Sequence, residues 1–205
     1  MKRYSTPVSL RQEQAKATRA RIVDAAAGVF EQAGFEGARV DDIAAAAGVA
    51  VATVYKVFAN KRTLLKEAIT AAVTGDRQGP VEVQPWWREQ LAAPTAERQL
   101  GLIARNARAM YERSGLLLEV ARVARDAEIE TLRREIDDQR RSRSEASATA
   151  LAAKAPLRVP APVAARTLWT LTAPELYVLQ VDRSALTPSD YERWLADLLA
   201  AALLG

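Results

Sequence analysis

Residues 40–61, VDDIAAAAGVAVATVYKVFANK, decide the fold of this chain. The stretch divides at Gly48 into two short apolar segments, and the first is so rich in alanine that a second helix can lie close across it. Two short helices joined at a glycine make a helix-turn-helix, and the second of them, about residues 51–58, is the one such a unit offers to a DNA major groove. The expected first helix spans about 41–47.

Outward from this stretch the chain reads as helix. Between residues 18 and 32, Ile22, Val23, Ala26, Val29 and Phe30 recur at the spacing of an amphipathic helix. Gly34 is placed to end it in a left-handed conformation, with Phe35 folding back on the last turn. On the far side Asn60 can cap a helix from 61 to about 74, whose stripe is Leu64, Leu65, Ala68, Ile69, Ala72 and Val73. Residues 1–16 have little apolar periodicity and carry Lys2, Arg3, Arg11 and Lys16 against one acid. They are expected to form a basic flexible arm, either a solvated tail or a contact to DNA backbone or minor groove.

Two glycines and two prolines within residues 74–85 mark a connection into a second region. Helices are expected over about 95–113 (with Leu100, Ile103, Ala107, Met110 and Tyr111 on one side), 116–125 and 127–153. Pro156, Pro160 and Pro162 force a loop. A helix at about 164–171 stops before Pro174, where Thr172 and Glu175 have the spacing that recaps a helix, and Leu176, Tyr177 and Leu179 continue it. Thr187 and Pro188 open a last helix running through Tyr191, Trp194, Leu195, Leu198, Leu199 and Leu203. With no strand signal, the expected fold is all-α: an N-terminal three-helix helix-turn-helix domain at 17–62, followed by a helical region at 63–205 with its first helix as the link.

Composition narrows the function. The chain has 205 residues, 49% apolar and 26% charged, which is globular rather than disordered. No apolar run approaches the roughly 20 residues that cross a bilayer, so a cytoplasmic protein without a membrane partner is expected. Cysteine and histidine are both absent, which removes disulfides, thiolate and imidazole metal sites, and histidine acid–base relays. No acid pair stands out on an apolar face for a carboxylate-dependent enzyme; the expectation is no enzyme, no catalytic residue, no metal and no cofactor. Residues 1–62 carry 10 Lys/Arg against 6 Asp/Glu, while the remainder balances 19 against 19. The excess positive charge therefore lies with the helix-turn-helix, as contact with phosphates requires. Chance clustering would look the same. The usage of 23 Arg and 6 Lys suggests a GC-rich bacterial genome.

Residues 20–65 resemble the DNA-binding domain of the tetracycline-repressor (TetR) family of bacterial transcription regulators. Ala26, Phe30, Gly34, Phe35, Asp42, Ile43, Ala44, Ala47, Gly48, Val49, Thr53, Tyr55, Phe58, Lys61, Leu64 and Leu65 fall where that family expects such residues. Residues 167–204 resemble many members more loosely. The resemblance implies an all-helical homodimer with its recognition helices in successive major grooves of a near-palindromic double-stranded DNA operator. It further implies a second domain that binds a small-molecule effector and dimerises through the last two long helices. Effector binding would then shift the fourth helix and release a repressor from DNA.

On this resemblance, Thr53 and Tyr55 offer hydroxyls and Lys61 a charge to phosphate oxygens. Val51, Ala52 and Lys56 face the groove, the first two against thymine methyls and Lys56 on guanine or phosphate. Arg39 and Val40, at the start of the first short helix, complete the DNA-facing set. Two departures stand out: Arg39 and Ala50 occupy positions where the family usually has Ser or Thr, so both short helices lack a cap worth about 1 kcal/mol. Asp41 and Asp42 partly offset the first loss. Arg39 opposes the helix dipole, which suits either a phosphate contact or an ordinary exposed arginine. Tyr55 could instead be a scaffold aromatic.

In the second region Trp86, Trp87, Met110, Tyr111, Trp169 and Tyr177 are the candidates for an effector pocket, with core or interface as the competing role of each. Trp169, Leu176, Trp194, Leu195, Leu198 and Leu199 are the candidates for a dimer interface. The charged run at 133–143 reads as a solvated helix face. A rival to the regulator is a small-molecule-binding bundle that has lost operator binding.

Overall fold

The computed structural model describes residues 10–75 and 79–205. The helices are α1 (Leu10–Gly37), α2 (Val40–Ala47), α3 (Val51–Val57), α4 (Lys61–Thr74), α5 (Pro85–Leu91), α6 (Ala96–Val123), α7 (Ala127–Ala152), α8 (Ala161–Leu171), α9 (Pro174–Tyr177) and α10 (Pro188–Leu203). Among the described residues the only extended pairing is an isolated antiparallel bridge between Leu157 and Leu204. The chain divides into two units, Met1–Ala68 and Ile69–Gly205, and the division falls inside α4.

In the first unit, Ile22, Val23, Ala26, Phe30 and Phe35 of α1, Ile43, Ala44 and Ala47 of α2, Val54 and Phe58 around α3, and Leu64, Leu65 and Ala68 of α4 are all buried. Gly34 (φ 69°, ψ 178°) breaks the helical path of α1, and Phe35 turns back to stack on Phe30 at 6.1 Å between centroids. Gly48 is left-handed (φ 65°, ψ 40°); its N–H donates to Ala45 O at 3.1 Å, and Val49 N–H donates to Ala44 O at 3.0 Å. These paired bonds satisfy the last carbonyls of α2 and aim the chain into α3. Neither Arg39 nor Ala50 supplies a side-chain cap. Asn60 does cap α4, its Oδ1 accepting from Thr63 N at 2.8 Å and from Thr63 Oγ1 at 2.9 Å.

The helix α1 begins at Leu10, so the part of the expected arm from 10 to 16 is helical. Arg, Gln, Glu, Lys and Ala there are strong helix formers and need no buried stripe. The remainder of the arm, residues 1–9, lies outside the described residues.

The second unit has one main core. Leu100, Ile103, Ala104, Ala107 and Tyr111 of α6 pack with Ala148 and Leu151 of α7, Ala164, Ala165 and Leu168 of α8, Tyr177, and Tyr191, Leu195, Leu199 and Leu203 of α10. Polar ties cross it: Arg108 Nε donates to Glu192 at 2.7 Å, and Gln99 Nε2 to Ser147 O at 2.9 Å. Lys154 Nζ donates to Leu91 O at 2.9 Å and to Gln99 Oε1 at 2.7 Å.

Three expectations are corrected. Residues 96–123 form one helix, α6, not two, because Ser114 donates back to Met110 O at 2.9 Å and packing on both sides outweighs the roughly 1 kcal/mol that Gly115 costs. The helix α8 starts at Ala161, earlier than expected, since Pro162 sits in a first turn that needs no N–H from it. Thr172 does not recap α9: its hydroxyl donates to Leu168 O at 2.7 Å, Ala173 takes the cap position without a side-chain bond, and the chain widens into a π-helical stretch over Val178–Arg183. At α10, Thr187 caps as expected, accepting from Asp190 N.

Gly34 and Gly48 both have positive φ and open space where a Cβ would stand, so a side chain at either is penalised through the backbone alone. Asparagine is tolerated in the left-handed region of Gly48, whereas the φ and ψ of Gly34 are accessible almost only to glycine. Gly48→Asn should cost less than about 1 kcal/mol and Gly34→Asn about 1–3 kcal/mol in urea unfolding. Equal losses would remove this backbone account.

Candidate functional site

The outward face of the helix-turn-helix is small. In seven-residue α3, Val54 is buried, and Phe58 just beyond it is buried too; Val51, Thr53 and Val57 are half-buried. Ala52, Tyr55 and Lys56 are exposed, and at spacings of three and four they share one face. Tyr55 is 56% exposed.

Arg19, which sequence reasoning missed, fastens the far end of α3. Its Nη2 lies 2.9 Å from Glu67 Oε1, its Nη1 donates to Val57 O at 3.4 Å, and its guanidinium sits 4.5 Å from the Phe58 ring centroid. The only sequence hint is its place three residues before Ile22, at the edge of the buried stripe of α1.

The structure gives Lys61 a different task from the expected phosphate contact. Its Nζ donates to Phe35 O at 2.6 Å, to Ala38 O at 3.1 Å and to Glu36 O at 3.4 Å, and lies 4.5 Å from the Phe35 ring centroid. A cation there answers the negative end of α1 and satisfies carbonyls left over by the break at Gly34. Arg39, its side chain 72% exposed, pairs with Asp41 at 3.3 Å, so its opposition to the α2 dipole is met within the chain. Such an exposed pair is weak and leaves the guanidinium able to turn outward. Val40 is half-buried beside it.

In the second unit a cleft of about 570 Å³, its open mouth included, is walled by α5, α6, α7 and α8. Four of the six pocket candidates, Trp86, Trp87, Met110 and Tyr111, line it. Pro85 starts α5 and so sets the two tryptophans, which meet edge to face at 6.4 Å. Tyr111 is buried, donates to Thr172 O at 2.5 Å, and has its phenol pushed up by that burial. Trp169 and Tyr177 do not line the cleft. Trp169 lies in a separate groove between α7 and α8, its ring 4.8 Å from the Arg141 guanidinium, and Tyr177 is in the core, edge-on to Tyr191 at 5.0 Å.

The polar wall of the cleft was not foreseen. Asn106 Nδ2 donates to Gln90 Oε1 at 3.0 Å, and Gln90 Nε2 donates to Ser147 Oγ at 3.2 Å. Arg140 and Arg143, three residues apart on α7, also line it. The run at 133–143 is therefore a solvated face only in part: Arg133 and Arg134 pair outside with Glu130, while Arg140 and Arg143 turn inward. The available signal was the uncharged stripe Ser144, Ser147, Ala148 and Leu151 continuing from Arg140.

Two expected interface residues are also relocated. Leu195 and Leu199 have no exposed surface and belong to the core of their own chain, because α10 turns its Tyr191–Leu195–Leu199–Leu203 row inward onto α6. Leu176, Trp194, Leu198 and Trp169 are half-buried.

A helix-turn-helix with an outward-facing second helix is the class of nucleic-acid-binding unit to which this geometry belongs. The family model of bacterial regulatory proteins, tetR family, matches residues 22–68, the stretch that holds the helix-turn-helix. Curated protein sequences give no match. Among solved structures, the fold is shared with NalD, the secondary repressor of the MexAB-OprM multidrug efflux pump in Pseudomonas aeruginosa (20% identity, 93% of this chain and 98% of that chain, TM-score 0.71). It is shared with SmeT in a complex with triclosan (21%, 92% and 92%, 0.71). It is also shared with the transcriptional regulator FadR from Bacillus subtilis in complex with stearoyl-CoA (17%, 88% and 96%, 0.69). Among the described residues no helix is long and apolar enough to cross a membrane.

The geometry of Lys61 predicts a stability role. Lys61→Met should lower the unfolding free energy of the protein by about 1–2 kcal/mol, as loss of a charged donor to backbone carbonyls does. Lys56→Ala should leave thermal unfolding unchanged. A Lys61→Met protein as stable as wild type would return Lys61 to the DNA-facing set.

Proposed function

We propose that this chain is a ligand-responsive DNA-binding transcriptional regulator. It acts in the cytoplasm on the chromosome as a homodimeric repressor that a small molecule releases from a near-palindromic operator. The observation that carries the reading is the exposed Ala52, Tyr55 and Lys56 face on a helix whose other side is anchored. In the groove, Ala52 meets a thymine methyl and Lys56 a guanine edge or a phosphate, with Val51 at the margin. Thr53 and Tyr55 donate to phosphate oxygens and set the register, and Arg39, beside Val40, exchanges Asp41 for a phosphate.

Dimerisation would bring two recognition helices to the roughly 34–36 Å spacing of successive major grooves. The surface best suited is the outer side of α8 and α10, where Val163 is 41% exposed and Trp169, Trp194 and Leu198 are half-buried. The effector would occupy the cleft. Met110 and Tyr111 line it from α6, and on the same helix Arg113 Nε donates to Ala72 O at 3.0 Å and Nη2 to Val73 O at 3.3 Å. An effector that displaces this part of α6 thereby pulls on the last turn of α4, which continues into the helix-turn-helix unit.

Fluorescence anisotropy on fragments selected from genomic DNA by the purified protein tests the reading. Wild type should bind selected fragments in a salt-sensitive way and well above random duplex. Lys56→Ala should lose about 1–3 kcal/mol more on selected than on random DNA, and Tyr55→Phe about 1 kcal/mol on both. Equal losses for Lys56→Ala would exclude it from base readout. Absence of any sequence-selective binding would favour the small-molecule-binding bundle. In sedimentation, Leu198→Glu should shift a dimer toward monomer; a monomeric wild type would rule out the paired-groove geometry.

A further inference from the structure

We propose, taking the cleft to be the effector site, that the effector is an apolar organic anion. Its carboxylate takes the place of Glu82 on the Arg143 guanidinium while its body lies against Trp86, Trp87, Met110 and Ile103.

The charges around the cleft are one-sided. Arg140 and Arg143 are the only charged side chains on its described wall, and no acid lines it. The two arginines are not equivalent. Arg140 is committed to the fold: its Nη2 donates to Trp169 O at 2.9 Å and to Thr172 O at 3.3 Å, and its Nη1 meets Asp137 at 2.9 Å. These bonds close the carboxyl end of α8. Arg143, its side chain only 16% exposed, has Glu82 at 3.6 Å, a loose contact to a carboxylate whose own side chain is 51% exposed. Glu82 sits on the three-residue turn Val81–Val83, outside the lining.

A guanidinium offers five donors in a planar fork, so one distant carboxylate oxygen leaves most of its capacity for a second acceptor. Burial pushes the Arg143 guanidinium below the usual arginine range, with Glu82 opposing that shift only in part. A bidentate carboxylate supplied from within the cleft would answer the same charge more completely than the exposed Glu82 does. A cationic effector would meet two guanidinium groups and no acid on the cleft lining, since Asp137 and Glu82 lie outside it. The apolar wall of Trp86, Trp87, Met110 and Ile103 fixes the rest of the ligand. The Asn106–Gln90–Ser147 chain provides neutral amide and hydroxyl groups beside the charge, suited to orienting a polar head without cancelling it.

Calorimetric titration of the full chain with 2-naphthoate and 2-naphthamide, which share shape and differ in charge, tests the proposal. Wild type should bind the naphthoate about tenfold or more tightly than the amide. Arg143→Gln should abolish that preference while leaving amide affinity within about twofold, and circular dichroism should show it folded. Glu82→Gln should tighten naphthoate binding about threefold or more, because a competitor for the guanidinium is gone. Equal binding of the two probes, binding of neither, or a preference that survives Arg143→Gln would overturn the proposal. Duplex binding measured without probe separates the two readings. Selective DNA binding with no anion preference leaves the regulator and removes the anion, whereas anion preference without DNA binding keeps the anion site in a protein that is not a repressor.

Discussion

A helix of seven residues with no side-chain cap at its start cannot hold itself together in water, and everything in the amino-terminal unit follows from that constraint on α3. Its order has to be imported. Gly48 sets the entry angle through two backbone bonds, Val54 and Phe58 sink into the core, and Arg19 covers the exit by gripping Val57 O and the Phe58 ring while pairing with Glu67. With the inward side so fully engaged, the outward side is left to the exposed Ala52, Tyr55 and Lys56. A recognition surface is possible here because stability is supplied from behind it.

That division explains what the sequence disclosed. Helix positions in the amino-terminal unit were legible because apolar periodicity, two glycines with distinct backbone needs, and the Asn60 cap all point the same way. A lysine beside a helix-turn-helix has two physical uses, and the intrachain one was not legible for Lys61 because only the break at Gly34 leaves the Phe35 and Ala38 carbonyls facing it. Arg19 was invisible for a related reason: its partners lie 38 and more residues along the chain, and nothing local marks it.

In the second unit legibility followed polarity. Trp86, Trp87, Met110 and Tyr111 stood out as large apolar groups and do line the cleft. The same size signal failed for Tyr177 and Leu195, since large side chains fill cores as readily as pockets, and only the rotation of α9 and α10 separates the two. Arg140 and Arg143 were hidden inside a run of charges. A charged helix normally shows all its charge to water, and the inward turn of two members becomes apparent only when α8 and the Val81–Val83 turn are in place to receive them. Ser114 and Gly115 misled for the opposite reason: local breakers were overruled by packing along the whole of α6.

The arrangement of costs bears on how a signal could travel. A ligand moves an equilibrium only by its differential affinity for the two states, so the element it engages must have something to give up. Arg140 has little, being tied to two carbonyls and an aspartate. Arg143, held by a single distant carboxylate, and Arg113, whose guanidinium is pushed below its usual range by partial burial against the last carbonyls of α4, are the less settled groups. Both act on chain next to the end of α4: Arg113 on the helix itself, Arg143 through Glu82 on the turn that follows. On the proposed reading, an anion that satisfies Arg143 frees that turn, and one that crowds Met110 and Tyr111 loads Arg113. Of the two, only the load on Arg113 reaches α4 directly, through its bonds to the Ala72 and Val73 carbonyls.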